Sequence, residues 1–325
     1  PWDKYEETYT TALNSGEGPD VGYMYNEMFP TYIDAGAVED MSSYVTDEDK
    51  KEYKYLSNGN MMDGQYGWPL VTGVPFVLYY NEDILNALGE KAPETWDDFA
   101  RICQEATKDT DGDGKVDQYG FACGMNTSDI GAMQILNAYY YSALWQNGGQ
   151  VYNDDLKSVS FADEAGKEAV TWLKGLTSYM NEDFMSLSWS DAFSNVFGAG
   201  KAAFGITRSS QTDGTTFAET YPDLNWNFVT SLKNKDFGTF GATDCLTLMS
   251  ACEDKDLAMD FIKYVTGSEF MTAYHAKCPG AALTESEPYV GDEKMEKIYT
   301  EDKDKWHGIQ AGPCGTQILN QLAAD

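Results

Sequence analysis

The segment 66–99 constrains the fold more than any other part of the sequence. It reads YGWPLVTGVPFVLYYNEDILNALGEKAPETWDDF. An apolar run of strand length, rich in β-branched and aromatic residues, occupies 74–80. A short helix then ends at Gly89, and Thr95 followed by Asp98 predicts the N-terminal cap of another helix. A strand, a short helix, a loop and a capped helix in so short a segment indicate an α/β sheet protein.

The same alternation of strand and helix patterns continues along the chain. Amphipathic helices are predicted at 130–146, 163–179 and 254–266, and short strands at 20–25, 201–207, 226–229 and 245–249. Such alternation predicts α/β layers. A chain of 325 residues is long for one domain, so we expect two lobes.

Composition and charge exclude several classes of partner. The formal net charge is −31, which repels nucleic acid and anionic membranes and disfavours a strongly anionic ligand. Only 2 histidines are present, so a histidine triad or a zinc site is not expected. No run of 18 apolar residues exists, so we expect no membrane span. The first residues read as the body of a helix, and we therefore expect a fragment of a longer chain.

Aromatic residues are abundant, with 22 tyrosines and 8 tryptophans. Such side chains stack their apolar faces on flat ligands and donate hydrogen bonds, so a sugar-binding surface is one reading of this excess. The alternative is that most of the tyrosines fill half-buried positions. The six cysteines show no CxxC pair or metal-ligand spacing, and we expect free buried thiols.

One loop matches the calcium-binding pattern in part. Carboxylates stand at positions 1, 3, 5 and 9, and a glycine stands at position 6; the loop residues in question are Asp109, Asp111, Asp113, Lys115 and Asp117. The acid expected at position 12 is replaced by Gly120. The sequence therefore predicts either a structural Ca²⁺ site or a plain turn before the next strand.

Eight short motifs follow one another across nearly the whole chain. They are SGEGPDV, AGAVEDMSSY, YGWPL with LYYNEDIL, PETWDDF, WQNGG, FGAGKAAFGI, AMDFIKYVTGSEF and CPGAAL. In this order they resemble the extracellular solute-binding proteins of carbohydrate ABC transporters, the family typified by maltose-binding protein. Each motif alone is weak evidence, and the resemblance rests on their order.

The resemblance implies a two-lobed, periplasmic-binding-protein-like α/β fold of type II, with a ligand cleft between the lobes. The implied first lobe is 1–75 plus 240–285, with its first strand missing, and the second is 76–239 plus 286–325. The implied ligand-binding residues are Tyr25, Asn26, Glu27, Trp68, Thr72, Tyr139, Trp145, Arg208, Asp244 and Trp306. Among these, the residues after the strand 20–25 are also placed at a strand end, where α/β sheets bind ligands.

Arg208 marks a departure from the family pattern. Many members carry a sugar-stacking tryptophan after the motif that here reads GKAAFGI, whereas this chain continues with Thr207, Arg208, Ser209 and Ser210. The departure argues against a maltose-like stacking arrangement. It suggests a ligand that needs a guanidinium donor, such as a uronic sugar, or one rich in hydroxyl groups.

The implied function is a non-enzymatic receptor. It would bind a mono- or oligosaccharide and deliver it to ABC transporter permease subunits, as a monomer that is lipoprotein-anchored at the cell surface or periplasmic, with no required cofactor. The rival from another class is a secreted glycoside hydrolase, which needs two carboxylates flanking one bond. No two carboxylates in the sequence can be recognised as such a catalytic pair. A calcium-dependent adhesion module is a third reading.

Overall fold

The structure is a computed structural model of the chain. It describes residues 4–62, 64–126, 131–213 and 215–310, together with 312, 315, 318, 321 and 322. Two compact units divide the chain. Unit 1 comprises Pro1–Val74, Gly241–Tyr299 and Gly308–Leu319, and unit 2 comprises Pro75–Phe240, Thr300–His307 and Asn320–Asp325.

The division differs from the expected lobe boundaries in the segments 286–299 and 308–319, both of which we expected in the second lobe. Contacts at the start of the first of these segments bind it to unit 1. Thr284 forms a β-bridge with Tyr53. The backbone N–H of Ser286 donates to a carboxylate oxygen of Glu52 at 3.1 Å, and its hydroxyl donates to the same oxygen.

Strands and helices alternate as the sequence predicts. The strands are β1 (Val21–Tyr25), β2 (Asn60–Met61), β3 (Gly64–Gln65), β4 (Trp68–Thr72), β5 (Phe76–Asn81), β6 (Tyr119–Ala122), β7 (Ala202–Arg208), β8 (Trp226–Val229) and β9 (Thr243–Leu248). The helices are α1 (Tyr5–Ser15), α2 (Phe29–Asp34), α3 (Asp49–Glu52), α4 (Glu82–Leu88), α5 (Trp96–Ala106), α6 (Gly131–Ile135), α7 (Tyr141–Gln146), α8 (Glu164–Gly175), α9 (Trp189–Ala192), α10 (Thr215–Thr220), α11 (Lys255–Thr266), α12 (Ser268–His275) and α13 (Glu293–Glu296). Within the described residues, no helix is both long and apolar enough to cross a membrane.

Unit 1 is built on a three-stranded sheet in the order β1-β9-β4, with β9 antiparallel to both neighbours. Burial alternates along β1, so that Met24 enters the core while its neighbours on the opposite face are half-buried. Helix α11 covers the sheet with its apolar stripe, which includes Met259 and Ile262 and packs against Trp68 and Leu248. These contacts fix the ends of the three strands.

Unit 2 contains a four-stranded sheet in the order β6-β7-β5-β8. Strand β5 is antiparallel to β7 and β8, and β6 is parallel to β7. The predicted cap of α5 is confirmed, because the Thr95 hydroxyl accepts from the backbone N–H of Asp98 while the Asp98 carboxylate accepts in return. Helix α4 ends at Gly89, whose φ of 75° lies in the left-handed region.

Two π-helical turns interrupt the helices of unit 2. The helix predicted at 130–146 is described from Gly131, and it contains the π-helical segment Leu136–Tyr140 between α6 and α7. A second π-helical segment, Phe193–Gly198, follows α9. Neither was predicted, because a π-helical turn shifts the helical register by one residue without leaving a marked change in the apolar pattern. Such turns are frequent at functional sites.

The core of unit 2 requires close contact between α5 and β6. Gly120 lies against the backbone of Cys103, and a Cβ atom at Gly120 would stand only 2.3 Å from the Cys103 carbonyl oxygen. A backbone oxygen inside a helix cannot move away without disturbing its own hydrogen bonds. A side chain at position 120 is therefore excluded by geometry.

We predict opposite effects for two glycine-to-alanine substitutions in unit 2. Gly120→Ala should destabilise the protein by about 2 kcal/mol or more, because overpacked cores shift backbone atoms. Gly175→Ala, at the end of α8, meets no atom within 4 Å and should be neutral or stabilising by up to about 1 kcal/mol. Urea unfolding of both variants measures the difference, and equal midpoints would contradict the packing described here.

Candidate functional site

In unit 1 the last residues of β1 and β4 lie beside the first residues of β9, at one edge of the sheet. Because β9 runs antiparallel to β1 and β4, its first residues lie beside the last residues of both. Tyr25 pairs with Asp244, and Thr72 pairs with Thr243. The predicted binding residues of unit 1 are thus brought to one edge, apart from Trp68 at the opposite end of β4.

Three tyrosines and three carboxylates form a polar cluster at this edge. The Tyr25 hydroxyl donates to Glu6, the Tyr23 hydroxyl donates to Asp244, and the Tyr5 hydroxyl donates to the backbone carbonyl of Tyr23. We call this group the tyrosine–carboxylate cluster, defined as Tyr5, Glu6, Tyr23, Tyr25, Glu27 and Asp244. Sequence analysis missed Tyr5 and Glu6, because these residues lie on α1 and only the folded chain brings them beside β1.

The electrostatics of the cluster keep its phenols protonated. Burial raises the pKa of Tyr23 and of Tyr25 far above the ordinary value, and the neighbouring carboxylates Asp244 and Glu6 raise each pKa further. A protonated phenol donates one hydrogen bond and accepts others. At neutral pH the cluster therefore offers hydroxyl groups and carboxylate oxygens side by side, which is the donor and acceptor set that suits a ligand carrying several hydroxyl groups.

Glu27 is the most unusual titratable group of the cluster. It lies in the 3₁₀ turn that follows β1, and 8% of its surface is exposed. Burial raises its pKa from an ordinary 4.5 to about 7, with further contributions from the nearby Asp244 and Glu6. Glu27 therefore changes between a proton donor and a pure acceptor close to neutral pH.

Thr72 and Asn26 add polar groups to the same edge. The Thr72 hydroxyl is buried and has no hydrogen-bond partner among the described residues. Its cross-strand neighbour Thr243 accepts from the side-chain amide of Asn58 at 3.2 Å. A buried hydroxyl without a partner costs free energy, so Thr72 is suited to a bond with a ligand or a water molecule. Asn26 is half-buried, and the Cys245 thiol lies 4.0 Å from its amide oxygen.

The structure does not present Trp68 to a ligand. Its side chain is fully buried in the core of unit 1, where it meets the ring of Tyr53 edge to face at 5.1 Å. The ammonium group of Lys263 lies 5.2 Å from its ring centroid. The expectation that Trp68 contacts ligand is corrected by this packing, because an indole without exposed surface has no face left for a sugar.

In unit 2 one end of the sheet carries an arginine that packs against two aromatic rings. Arg208, the last residue of β7, pairs with Phe76, the first residue of β5. Its guanidinium carbon lies 5.5 Å from the ring centroid of Phe76 and 5.6 Å from that of Trp189. It also donates to the side-chain oxygen of Gln134 at 2.8 Å. We call Phe76, Gln134, Trp189 and Arg208 the arginine shelf.

Sequence analysis named only Arg208 of this shelf and missed Phe76, Gln134 and Trp189, of which Trp189 is the most exposed. It is half-exposed, and its ring meets that of Phe76 edge to face at 5.3 Å. The only local signal was the cap formed by Ser188 and Asp191, which begins a helix at Trp189. That signal locates a helix but says nothing about the distant strand ends that the indole contacts.

The remaining predicted residues of unit 2 are buried. Tyr139 accepts from the backbone N–H of Gly124 at 3.2 Å and is 3% exposed. Trp145 stacks on Tyr141 with ring centroids 5.6 Å apart, and Trp306 is also buried. These three side chains are corrected to core positions, because their aromatic faces are already covered by protein atoms.

A cavity of about 40 Å³ lies in unit 2. Its polar lining includes Ser142 and Thr239, whose hydroxyl oxygens lie 3.0 Å apart. The volume suffices for one or two water molecules and is far below the several hundred Å³ of a typical ligand pocket. The cavity is therefore too small to be such a pocket.

The predicted calcium loop brings three of its five residues together. The carboxylates of Asp109, Asp111 and Asp113 offer oxygens within 4.8 Å of one another, and all three residues are exposed. Asp109 accepts the backbone N–H groups of Gly112 and Gly114, which fixes the loop and lowers the pKa of the carboxyl. Asp117 turns both oxygens towards Thr110. Lys115 can contribute only its backbone carbonyl.

Comparison with known proteins identifies the family. A family model described as bacterial extracellular solute-binding protein matches residues 1–288. The chain belongs to this family. This solute-binding protein is also 24% identical, over 311 residues, to a binding protein of Brucella abortus (strain 2308), an alignment that covers 91% of the chain and 68% of the relative.

Solved structures agree on the fold of this solute-binding protein. A solute-binding protein of an ABC transporter from Thermotoga lettingae, bound with α-D-tagatose, is 18% identical and has a TM-score of 0.73, with 99% of this chain and 83% of that chain covered. The maltose/maltodextrin-binding domain of Bdellovibrio bacteriovorus, bound to maltotriose, is 14% identical with a TM-score of 0.76, covering 99% and 82%. The predicted family and the two-lobed α/β fold class are thus confirmed.

Glu27 should make the stability of this solute-binding protein depend on pH. The unfolded carboxyl titrates near 4.5 and the folded one near 7, so the folded state holds an extra proton between these values. Stability from this group is therefore fully present below about pH 4.5 and falls as pH rises to about 7, by up to about 3 kcal/mol.

Glu27→Gln removes this titration. The variant should be more stable than the wild type at pH 8 and close to it at pH 4.5, as measured by urea unfolding at both values. Glu17→Gln, at an exposed position of the same unit, is the matched control and should follow the wild-type profile. A Glu27→Gln variant with the wild-type pH dependence would show that the buried carboxyl does not titrate as described.

Proposed function

We propose that this solute-binding protein binds a mono- or oligosaccharide and delivers it to the permease of an ABC importer. The observation that supports the proposal is the tyrosine–carboxylate cluster at the strand ends of unit 1. Relatives with the same fold were solved with tagatose and maltotriose bound. A shared fold below 20% identity does not transfer a ligand, so the chemistry of the cluster carries the argument.

The cluster supplies what sugar recognition requires. Sugar hydroxyl groups both donate and accept, and they are bound by carboxylates and by phenols with an apolar ring. Asp244 and Glu6 accept, while the tyrosine hydroxyls donate and accept. The buried Thr72 hydroxyl adds one more group of the same kind. A ligand rich in hydroxyl groups can bond to the remaining acceptor sites of the carboxylates and phenols and to the Thr72 hydroxyl.

Within this proposal the protein is a receptor without catalytic activity. It acts as a monomer outside the cytoplasmic membrane, either as a lipoprotein or in the periplasm. Ligand binding shifts the population towards a closed state, which the permease then recognises. The permease, the anchoring and the monomeric state are parts of the proposal.

Glycoside hydrolysis is the second candidate, and one observation favours it. Burial, together with the nearby carboxylate of Asp244, raises the pKa of Glu27 to about 7, and a carboxylic acid of raised pKa near a second carboxylate is the arrangement that glycosidases use. However, Asp244 accepts from Tyr23, and all these groups also suit binding. Product formation separates the two candidates.

Sugar binding should be detected by calorimetry with a panel of mono- and oligosaccharides, together with chromatography for released products. We expect binding of at least one saccharide without turnover. Asp244→Asn should weaken that binding about 10- to 100-fold, because a hydrogen bond to a charged acceptor contributes about 1.5–3 kcal/mol. Asp260→Asn, at an exposed position of α11, should bind normally. Hydrolysed product would support the enzyme instead.

We also propose a structural Ca²⁺ at the loop of Asp109, Asp111 and Asp113. Their clustered oxygens fit a hard cation that prefers carboxylate ligands. The ion would brace the loop before β6 and take no part in sugar binding.

Ca²⁺ at millimolar concentration should raise the melting temperature of the wild type by mass action, while Mg²⁺ should not. Asp111→Asn should abolish this shift. Asp155→Asn is the matched control, because Asp155 also accepts a backbone N–H within an exposed turn, from Lys157, and this variant should keep the shift. If both variants responded equally to Ca²⁺, or if the wild type did not respond, Ca²⁺ binding at this loop would be ruled out.

A further inference from the structure

The arginine shelf stands at the edge of the sheet in unit 2 where several strands end. Strand β7 ends at Arg208 beside the start of β5, and β6 ends in the same direction because it is parallel to β7. Ligands of open α/β sheets bind at such ends. Arg208 and Trp189 are both partly buried and partly exposed, so both side chains present part of their surface to solvent.

The contacts of Arg208 hold its guanidinium group in a defined orientation. Two aromatic rings lie within 5.6 Å of the guanidinium carbon, and such cation–π contacts each stabilise a cation. The amide oxygen of Gln134 accepts from one terminal nitrogen, Nη2. A planar group fixed in this way loses little conformational entropy when it binds a partner.

Gln134 and Trp189, which contact Arg208, each lie in a short α-helix that continues into a π-helical segment. Gln134 lies in α6, directly before the π-helical segment Leu136–Tyr140. Trp189 begins α9, directly before the π-helical segment Phe193–Gly198. π-helical turns are rare and occur frequently at functional sites. Both turns therefore favour a binding role for the shelf over a purely structural one.

We propose that the arginine shelf binds a carboxylate group of the ligand, so that the transported saccharide contains a uronic acid residue. This inference rests on the proposed sugar-binding function. The planar fork of a guanidinium matches the two oxygens of a carboxylate and bonds both of them, whereas a hydroxyl group meets only one arm. The exposed part of the Trp189 indole offers an apolar surface for the sugar ring that carries the carboxylate.

A single carboxylate is compatible with the strongly acidic chain. The net charge of −31 acts on a distant anion through salt-screened solvent, with a screening length of about 8 Å at physiological ionic strength. A charge-assisted pair at contact distance is screened much less. The field therefore slows the approach of anionic ligands but does not prevent recognition by Arg208.

Calorimetry with galacturonate, digalacturonate and glucuronate tests the inference. The methyl ester of each sugar is the matched ligand, since it keeps the shape and removes the charge. The free acids should bind about 10-fold or more tightly than their esters, as expected for a charge-assisted pair. The preference should shrink as salt concentration rises.

Two substitutions separate charge from geometry. Arg208→Gln should abolish the preference for the free acid, and Arg208→Lys should lose most of it because an ammonium group lacks the planar fork. The chain has one other arginine, Arg101, which lies on α5 and pairs with Glu90 at the surface. Arg101→Gln is the control and should keep the wild-type preference. Circular dichroism of each variant shows whether it is folded.

The outcomes distinguish this inference from the proposed function. Tight binding of neutral saccharides with no preference for uronates, or a preference that survives both Arg208 substitutions, overturns the inference and leaves sugar binding intact. Failure of every neutral and acidic saccharide to bind overturns both.

Discussion

The pairing of β9 with β1 is the constraint on which the chemistry of unit 1 depends. This antiparallel register brings Asp244, from late in the chain, opposite Tyr25, from its beginning. The same register places Thr72 of β4 beside Thr243. A shift by one residue would turn Asp244 to the other face of the sheet, into the apolar core that holds Cys245 and Met24. The core therefore enforces the position of the polar cluster.

The two units carry contrasting chemistry at their strand ends. Unit 1 gathers carboxylates and phenols, and burial near other carboxylates keeps Glu27 partly protonated at neutral pH. Unit 2 presents a cation packed against two aromatic rings. The chain has 53 acidic residues and only two arginines, and one of the two arginines packs against these rings. The strand ends of the two units thus offer different hydrogen-bonding chemistry.

Local sequence signals predicted much of this fold. The cap of Thr95 and Asp98, the stop at Gly89 and the strand β1 are set by residues within a few positions of each other, so a sequence reveals them. The order of the short motifs along the chain also predicted the family and the two-lobed fold. The π-helical turns were not predicted, because the apolar pattern tolerates a shift of one residue.

The candidate site was predicted less well, for a physical reason. Whether an aromatic side chain is buried in the core or exposed at a site depends on elements that are distant in sequence. Trp68 was wrongly predicted to bind ligand, and Trp189 was not predicted at all. Trp68 lies within the recognisable motif YGWPL and is fully buried beneath α11. Trp189 lies in no such motif, and it reaches Arg208 only because β7 and α9 meet in the folded chain. A sequence alone contains both tryptophans but not the contacts that separate them.

The half-exposed position of Trp189 has a spectroscopic consequence. Indole emission responds to the polarity and charge around the ring. Most of the other described tryptophans lie inside the protein, including Trp68, Trp96, Trp145 and Trp306. Trp189 instead touches both solvent and a guanidinium group. Anything that settles on the shelf displaces water from this indole and changes its local field, so the chain carries its own fluorescent reporter at that edge.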